Sequence, residues 1–449
     1  MKSDLRHLMD LLRQIDDQLV TCMRCGTCQS VCPIYKETGL EAHVARGKIA
    51  LLEFLADELI KDPKGVNERL NMCLLCGSCE ASCPSGVKVL DIFLKARAFM
   101  TGYFGLSPVK RIVFRGLLKH NRLFDAVVSV AAKFQGIFTK PVNDMIGSSC
   151  ARVFPGLIGG RHFIPLAAKP FHATTPARDT PRGASGRKVA FYYGCVVDKM
   201  FPHIAETILG VLDAHDIAVY MPHGQACCGI PALSSGDRAT FESLVASNMA
   251  LFGDADCDAL VTPCASCTST IKKLWPRLAT DLPEAMQAKI RDLAEKTMDI
   301  SEYLVNEAGI AQPPFPQPED GAVVVTYHDP CHLKKTLGIA AEPRALIAAN
   351  PHYRLVEMDG ADSCCGSGGS FTLQHYDLSK RIGRRKRDNI IATGARLVAT
   401  SCPACMLQIS DMLSQAGDRV ALCHPVEIYA ETLTGHLRPT AKTEAKEVA

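Results

Sequence analysis

The chain contains, at residues 22–33, the stretch CMRCGTCQSVCP, which returns at residues 73–84 as CLLCGSCEASCP. Both copies have the spacing C-x2-C-x2-C-x3-C followed by proline, and each cysteine of the second copy lies 51 residues after its counterpart, as Cys73 does after Cys22. Because the four cysteines and the proline are all repeated, the two stretches form an internal duplication. Thiols spaced this closely in one short loop predict ligands of a metal centre.

The spacing is that of bacterial two-cluster ferredoxins, in which the fourth cysteine of each run ligates the cluster of the other run. It therefore predicts two [4Fe–4S] cubane clusters. The ligands of the first are Cys22, Cys25, Cys28 and Cys83; those of the second are Cys73, Cys76, Cys79 and Cys32. A pair of zinc sites is the alternative, but zinc favours paired C-x2-C clips without the third cysteine and the following proline.

Composition limits the class of protein. The 449 residues suggest about three domains, and 47% hydrophobic with 22% charged residues excludes a disordered chain. A net charge of +3 gives no overall attraction to nucleic acid. The chain contains no apolar run of about 18 residues, so no transmembrane helix is predicted. Residues 1–20 lack the apolar core of a secretory signal. The 21 cysteines, an odd number, therefore predict metal ligands in a reducing, cytoplasmic compartment.

A second duplicated pattern follows, with five cysteines in each copy. The first copy is Cys195, Cys227-Cys228-Gly229, Cys264 and Cys267; the second is Cys331, Cys364-Cys365-Gly366, Cys402 and Cys405. Short β-rich runs at 188–194, 259–262, 323–327 and 396–399 end at or near these cysteines, and helical patterns follow the later two cysteines of each copy. Because loops after parallel strands meet at one edge of a sheet, we expect each set to converge in an α/β domain.

The five-cysteine pattern resembles the duplicated cysteine-rich (CCG) domains of the heterodisulfide reductase B subunit. With the ferredoxin-type module before it, the chain from about Cys22 to about Leu413 resembles the iron–sulfur subunit of glycolate oxidase and of related D-lactate dehydrogenases. Local matches are Arg46-Gly47, the stretch CPSGV at 83–87, and Asp329-Pro330-Cys331-His332. The resemblance implies that one or both CCG sets bind a non-cubane [4Fe–4S] cluster. Zinc in one half remains the alternative.

Fold class and domains follow from these patterns. We expect an α+β multidomain protein: a helical two-cluster ferredoxin-type module (1–100), a basic helical connector and linker (101–187), and two duplicated α/β CCG domains (188–315 and 316–449). Apolar spacing predicts helices over 1–20 and 46–60 of the module.

The connector admits three roles. Residues 101–170 hold ten Lys or Arg and two acids, with phenylalanines between them, and helices are predicted at 112–124 and 127–137. Residues 171–186 predict an exposed linker. The connector either packs the modules together, docks a partner, or rests on anionic lipid at the inner face of the membrane.

The resemblance implies an electron-transfer subunit of an oxidoreductase. An FAD-binding partner subunit would oxidise a D-2-hydroxy acid, D-lactate or glycolate, and electrons would pass through the clusters to a quinone or another membrane-linked acceptor. The chain itself lacks a strand–GxGxxG–helix fingerprint, so the flavin is expected on the partner. No residue of this chain is predicted to be catalytic. The alternative is a heterodisulfide or thiol reductase with a catalytic non-cubane cluster.

The remaining candidates are interpreted as structural. Cys150, Cys257 and Cys423 lie outside both patterns and predict core positions. His223, His328 and His332 lie near the CCG cysteines, where structural hydrogen bonds are the first interpretation and hydrogen bonds to cluster sulfur the second.

Overall fold

The computed structural model describes residues 5–152 and 160–433, which form a mixed helix and sheet protein. The chain divides into two compact units: Met1–His120 with Gly229–Leu244 and Gly366–Gly383, and Asn121–Cys228 with Val245–Cys365 and Arg384–Ala449. Both short segments of the first unit begin at the glycine of a Cys-Cys-Gly triplet. The four predicted domains, with their three boundaries, stay a prediction.

Residues 5–120 are mainly helical. The helices are α1 (Leu5–Arg13), α2 (Asp16–Leu19), α3 (Thr27–Val31), α4 (Pro33–Thr38), α5 (Ala45–Ala56), α6 (Pro63–Asn71), α7 (Ser78–Ala81), α8 (Val89–Phe104) and α9 (Pro108–Arg111), with a 3-10 turn at Glu41–His43 and a π-helical segment at Ile112–Leu118. As the spacing predicts, α1 and α2 bury Leu8, Leu12 and Leu19. The helix predicted over 46–60 is wrong at its end, because the chain turns at Glu58 with φ 62° and leaves Leu59 70% exposed.

Arg97 of α8 links the second cysteine loop to the core of this unit. Its guanidinium is buried and donates to the carbonyl oxygens of Leu70 and Cys73, both at 3.0 Å, and of Ser234 at 2.7 Å. Three buried carbonyls therefore share one cation. This is the pairing that a buried charge requires.

The connector continues as α10 (Asn121–Phe138), a three-stranded antiparallel sheet of β1 (Thr139–Asn143), β2 (Ser148–Ala151) and β3 (His162–Phe163), α11 (Phe171–Thr174) and β4 (Arg178–Asp179). The two predicted connector helices are present, but the break between them lies earlier than predicted. Helical structure is interrupted at residues 119–120. The small sheet has no counterpart in the sequence interpretation.

The exposed linker predicted at 171–186 is wrong for its first half. Phe171 is fully buried, and its ring contacts Phe191 and Tyr193 with centroids at 6.5 and 5.2 Å. Strand β4 then pairs with β6 (Ala218–Met221) at the sheet edge. Burial of an aromatic side chain stabilises by about 1.5–3 kcal/mol, which outweighs the turn-like composition of the segment.

The first CCG half contains a five-stranded sheet. Its further elements are β5 (Lys188–Phe191), α12 (Cys195–Met200), α13 (Pro202–Ala214), β6, α14 (Ile230–Ser234), α15 (Arg238–Phe252), β7 (Ala259–Thr262), α16 (Ala265–Ser269), α17 (Trp275–Leu278), α18 (Glu284–Glu295), β8 (Thr297–Asp299) and α19 (Ile300–Glu302), with π-helical segments at Thr270–Leu274 and Tyr303–Glu307. The strand order is β4-β6-β5-β7-β8, and all pairs except β4–β6 are parallel.

The second CCG half repeats the same topology. Its elements are β9 (Val323–Tyr327), a π-helical segment at His332–Leu337, α20 (Ala341–Ala348), β10 (Tyr353–Leu355), α21 (Ser370–Gln374), α22 (Tyr376–Ala392), β11 (Leu397–Ala399), α23 (Pro403–Ala416), β12 (Ala421–Cys423) and α24 (Pro425–Leu433). The order β10-β9-β11-β12, all parallel, matches β6-β5-β7-β8 of the first half. The predicted strands are confirmed, and the duplication extends to topology.

The topology determines where the cysteines lie. In both sheets the chain order doubles back between the first and third parallel strands, and ligands bind at such a switch point beyond the carboxyl ends of the strands. Cys195 follows β5 and Cys264 follows β7, which are paired neighbours. Cys331 and Cys402 follow β9 and β11 in the same way.

No helix among residues 5–152 and 160–433 combines the length and the apolar character needed to cross a membrane.

We predict that His172 stabilises the protein in acid and not in base. Its Nδ1 lies 2.8 Å from an Asp198 carboxylate oxygen, and this hydrogen bond raises the pKa of His172 above its ordinary value. A raised histidine pKa gives stability that is complete below the unfolded value of about 6.5 and is lost as the pH rises through the folded value. His172→Gln should therefore lower the thermal unfolding midpoint more at pH 6 than at pH 9.

The matched control is His7→Gln, which removes an exposed histidine of α1. Equal losses for His172→Gln at both pH values would contradict the prediction.

Candidate metal centres

The two ferredoxin-type loops have the same backbone shape. Arg24 and Leu75, each just before the second cysteine of its run, have φ 56° and 53°, and Gly26 and Gly77, just after it, have φ 87° and 73°. A left-handed conformation at a non-glycine residue costs about 1–3 kcal/mol and persists only where the surroundings enforce it. Both loops therefore use the same strained backbone on either side of their second cysteine.

A hydroxyl group accompanies the second cysteine of each run. Thr27 Oγ1 lies 3.4 Å from Cys25 Sγ, and Ser78 Oγ lies 3.3 Å from Cys76 Sγ. The Thr27 hydrogen bond lowers the pKa of the Cys25 thiol. The sequence interpretation missed both hydroxyls, although the 51-residue repeat aligns Thr27 with Ser78.

The cysteines predicted as the first ligand set line one cavity. Its lining includes Cys22, Cys25, Cys28 and, from the second run, Cys83, together with Cys79 of the predicted second set. The Arg46-Gly47 pair supports this loop: Arg46 Nη1 donates to the Arg24 carbonyl at 3.0 Å, and a Cβ on Gly47 would lie 2.1 Å from the Glu41 carbonyl oxygen. Only glycine fits at that position.

The cysteines predicted as the second set are more deeply enclosed. Burial, together with the neighbouring sulfurs of Cys73 and Cys76, raises the pKa of the Cys32 thiol to about 11. Burial also raises the pKa of Cys79 well above its ordinary value, and the sulfurs of Cys76, Cys73 and Cys32 add to this rise. The fourth cysteine of the first run thus lies among those of the second run.

One buried cation lies beside this second set. Lys48 is 2% exposed, and its ammonium donates to the carbonyl oxygens of His43 at 2.5 Å and Met72 at 2.8 Å. Burial lowers the pKa of Lys48, and the sulfurs of Cys73 and Cys32 oppose that shift. A positive charge here offsets the negative charge that cysteine ligands bring when they bind a metal.

The five cysteines of the first CCG half lie close together, and all but the half-buried Cys195 are buried. Cys195 Sγ lies 3.8 Å from Cys227 Sγ. The Cys267 thiol is hydrogen-bonded to both Cys228 and Cys264, and these contacts raise the pKa of Cys267 well above its ordinary value. Such a group of thiols, away from water, is the donor set that a metal centre requires.

Two side chains brace the Cys-Cys pair of this half. Asn248 accepts from the Ala226 amide at 2.9 Å and donates to the Cys227 carbonyl at 3.2 Å. The indole N–H of Trp275 donates to the Cys228 carbonyl at 2.9 Å. The adjacent cysteines are therefore held by hydrogen bonds from two helical segments.

In the second CCG half Cys364, Cys365, Cys402 and Cys405 are buried, and Cys331 is half-buried. Cys405 is hydrogen-bonded to Cys365 and Cys402, and these contacts raise its pKa well above the ordinary value. His328 joins Cys365 and Cys405, with the three ligand atoms within 4.8 Å of one another. Burial lowers the pKa of the neighbouring Lys386 to about 8, although the cysteine sulfurs oppose this shift.

The two CCG sites adjoin. Hydrogen bonds from the Cys264 and Cys405 thiols lower the pKa of Cys402 well below its ordinary value, so a thiol of one half contacts a thiol of the other. Ser266 Oγ also lies 3.6 Å from Cys402 Sγ and 3.1 Å from His332 Nδ1. Metal groups in both halves would therefore be close neighbours.

The residues interpreted as structural divide into two groups. Cys257 and Cys423 are buried, Cys150 is half-buried on β2, and His223 accepts from the Ala177 amide at 2.8 Å. The core positions of Cys257 and Cys423 and the structural contact of His223 agree with expectation, whereas Cys150, expected in the core, is only partly buried. His328 differs, because it faces cysteines.

The donor sets fit iron–sulfur clusters. Enclosed, closely spaced thiols resist ionisation unless a metal replaces their protons, and iron–sulfur clusters are held by cysteine thiolates. The fold and these sites define an iron–sulfur protein built from a dicluster module and a duplicated cysteine-rich domain.

Comparisons with known proteins agree. The 4Fe-4S dicluster domain matches residues 18–87, and the cysteine-rich (CCG) domain matches residues 189–272 and 325–410. A probable glycolate oxidase iron-sulfur subunit of Bacillus subtilis is 31% identical over 94% of this chain and 96% of its own length. The chain therefore belongs to the family of glycolate oxidase and D-lactate dehydrogenase iron–sulfur subunits, and it is an iron–sulfur subunit of an oxidoreductase.

Other relatives are more distant. The B subunit of fumarate reductase (CoM/CoB) from Methanothermobacter marburgensis is 29% identical over 88% of this chain and 68% of its own length. Lactate utilization protein A of an Exiguobacterium species is 27% identical over 54% of this chain and 97% of its own length. A crystal structure of a hypothetical Helicobacter pylori protein shares the fold, with a TM-score of 0.53 and 10% identity over 99% of this chain and 78% of that one.

Iron counts of paired variants test the predicted crossing of the fourth cysteines. If Cys83 completes the first cluster, Cys25→Ser with Cys83→Ser removes two ligands of one cluster and should lose about four iron atoms per chain. Cys76→Ser with Cys83→Ser removes one ligand from each cluster and should lose about eight. Anaerobic purification with iron and protein analysis measures both. A loss of about eight iron atoms from the Cys25/Cys83 pair and about four from the Cys76/Cys83 pair would mean that each run binds its own cluster.

Proposed function

We propose that the chain is the electron-transfer subunit of a flavin-dependent D-2-hydroxyacid dehydrogenase acting on D-lactate or glycolate. An FAD-binding partner subunit performs the hydride chemistry, and electrons leave toward a quinone or another membrane-linked acceptor. The complex works in the cytoplasm, at or near the inner face of the membrane. The names of the relatives, which cite glycolate oxidase and lactate utilization, support the substrate class.

The observation on which the proposal depends is the number of enclosed cysteine sets in one chain. Two ferredoxin-type sets and two five-cysteine sets are complete. We propose two cubane clusters, with non-cubane clusters in one or both CCG halves and zinc as the alternative in one of them. Bound clusters would supply one-electron transfer, and the chain contributes the ligands and the charges around them.

The residues around the cysteines would tune this transfer. Lys48 brings a buried positive charge beside the second ferredoxin-type set, which favours the added negative charge of a reduced state. With Cys25 and Cys76 bound as thiolates, the neighbouring hydroxyls of Thr27 and Ser78 would donate hydrogen bonds to sulfur, which would act in the same direction. These residues perform no bond-making step.

The partner subunit needs a docking surface, and α10 offers one. An apolar stripe along α10 consists of Leu123, Val127, Val130, Phe134, Ile137 and Phe138, all between 42% and 59% exposed. No residue of this helix is buried. Because relatives are named as subunits of complexes, we propose that the partner covers this α10 stripe.

The proposed function predicts substrate-driven reduction. An anaerobic affinity purification from the native cells should yield this chain with a flavoprotein. Adding D-lactate or glycolate should bleach the visible cluster absorbance within the complex, whereas L-lactate, the matched control, should not. Iron of about 8 atoms per chain would indicate filled cubanes alone, and about 12 or 16 would indicate one or two additional CCG clusters.

The contrary result is equally definite. A flavin-free chain that ignores both acids but oxidises a reductant in the presence of a disulfide would overturn the proposal. The heterodisulfide or thiol reductase alternative would then replace it, and the adjoining CCG sites would be its candidate centre.

Substitutions in the α10 stripe should separate partner docking from lipid contact. Val130→Glu with Phe134→Glu places two charges on the stripe and should abolish co-purification of the flavoprotein. The control, Arg122→Gln with Lys133→Gln, removes charges beside the stripe and should leave co-purification unchanged. If instead the wild-type chain alone floats with anionic vesicles, and both pairs abolish flotation, the stripe contacts lipid.

A further inference from the structure

The clearest difference between the two CCG halves lies at one pair of positions. Tyr192 is the first residue after β5 and lies three residues before Cys195; His328 is the first residue after β9 and lies three residues before Cys331. Both side chains are fully buried against the cysteines of their own half. Duplication therefore places a phenol in one site and an imidazole in the other.

In the first half the polar atom of this side chain is already engaged. The Tyr192 hydroxyl donates to the Ala226 carbonyl at 2.6 Å, on the backbone just before the Cys-Cys pair. Its ring therefore packs beside the thiols without offering them a ligand atom. The first site presents sulfur donors from its five cysteines and no nitrogen from this position.

In the second half one ring nitrogen is engaged and the other is not. His328 Nδ1 lies 3.1 Å from the Ala361 carbonyl oxygen. A carbonyl can only accept, so Nδ1 carries the hydrogen. Nε2 is buried and has no hydrogen-bond partner within residues 5–152 and 160–433.

The surroundings favour a neutral ring. The Lys386 ammonium donates to the same Ala361 carbonyl at 3.1 Å and to the Gly360 carbonyl at 2.6 Å. A second cation beside it, out of water, would be costly. In a neutral imidazole with hydrogen on Nδ1, the available lone pair is on Nε2. A ring nitrogen of His328 and the sulfurs of Cys365 and Cys405 lie within 4.8 Å of one another, and because Nδ1 is engaged by Ala361 we assign that nitrogen as Nε2.

We propose that His328 Nε2 is a nitrogen ligand of the metal group in the second CCG half, together with the Cys365 and Cys405 thiolates. This inference rests on the proposed metal occupancy of that half. A ligating histidine typically donates its other ring N–H to a backbone carbonyl, as His328 does to Ala361. The first half is then an all-sulfur site and the second a mixed nitrogen and sulfur site.

The different donor sets would give the metal groups of the two halves different properties. Nitrogen in place of sulfur raises the reduction potential of an iron–sulfur centre, and a Cys₃His set also suits structural zinc. Either occupant makes the second half chemically distinct from the first, although both retain all five cysteines.

The test reads the metal coordination shell of the full-length chain, purified anaerobically after growth on ¹⁵N-histidine. If the second half holds iron, electron spin echo spectra of the reduced protein should show one directly bound histidine nitrogen. If it holds zinc, X-ray absorption at the zinc edge should show one nitrogen beside sulfur. His328→Ala should remove that nitrogen and lose about four iron atoms or one zinc per chain.

Tyr192→Phe is the matched control, because it alters the corresponding position of the first half and should retain the nitrogen signal. Wild-type protein with only sulfur around its metals, an empty second half, or a nitrogen signal that survives His328→Ala would overturn the proposal. The wild-type spectrum decides the matter even if His328→Ala fails to fold. If substrate bleaches the clusters but the metals are bound only by sulfur, the proposed function stands and the His328 proposal fails. If a nitrogen ligand is found but substrate causes no bleaching, the His328 proposal stands and the proposed function fails.

Discussion

Enclosure of closely spaced thiols is the constraint on which the rest of the structure depends. Eighteen cysteines belong to the four sets, and in the CCG halves thiols contact one another, with Cys195 and Cys227 only 3.8 Å apart. Burial and neighbouring sulfurs raise the pKa values of Cys32, Cys79 and Cys267, so these thiols resist ionisation. A metal that binds several thiolates at once removes this cost, and folding and metal binding are therefore coupled.

The surrounding polypeptide supports these sets by two different means. The ferredoxin-type loops use left-handed backbone at Arg24 and Leu75 and a buried cation at Lys48. The CCG halves use sheet topology, because the reversal of strand order brings the ends of two neighbouring strands to the same place. The ferredoxin-type loops are formed by residues close together in sequence. The sheet topology instead brings together residues about 70 positions apart, from Cys195 to Cys267.

That contrast explains how much the sequence could predict. Spacing within 12 residues identified the ferredoxin-type loops, and β-rich runs before cysteines identified β5, β7, β9 and β11. The burial of Phe171 was missed because its partners, Phe191 and Tyr193, lie 20 or more residues away and the local composition is that of a linker. His328 was classified as structural because no local signal distinguishes a satisfied histidine from one whose second nitrogen faces thiols. Alignment of the two halves on Cys195 and Cys331 would have paired it with Tyr192.

Duplication followed by local divergence accounts for the remaining asymmetry. The shared strand order shows that both halves keep one scaffold, and the complete cysteine sets keep the same sulfur donors. Around those sulfurs, the first half has Tyr192 and Asn248, which bond the backbone and bring no charge. The second has His328 and Lys386, a nitrogen lone pair and a cation. Because a metal responds to the charge and donors nearest to it, changes at so few positions would suffice to give metals bound in two copies of one fold different chemistry.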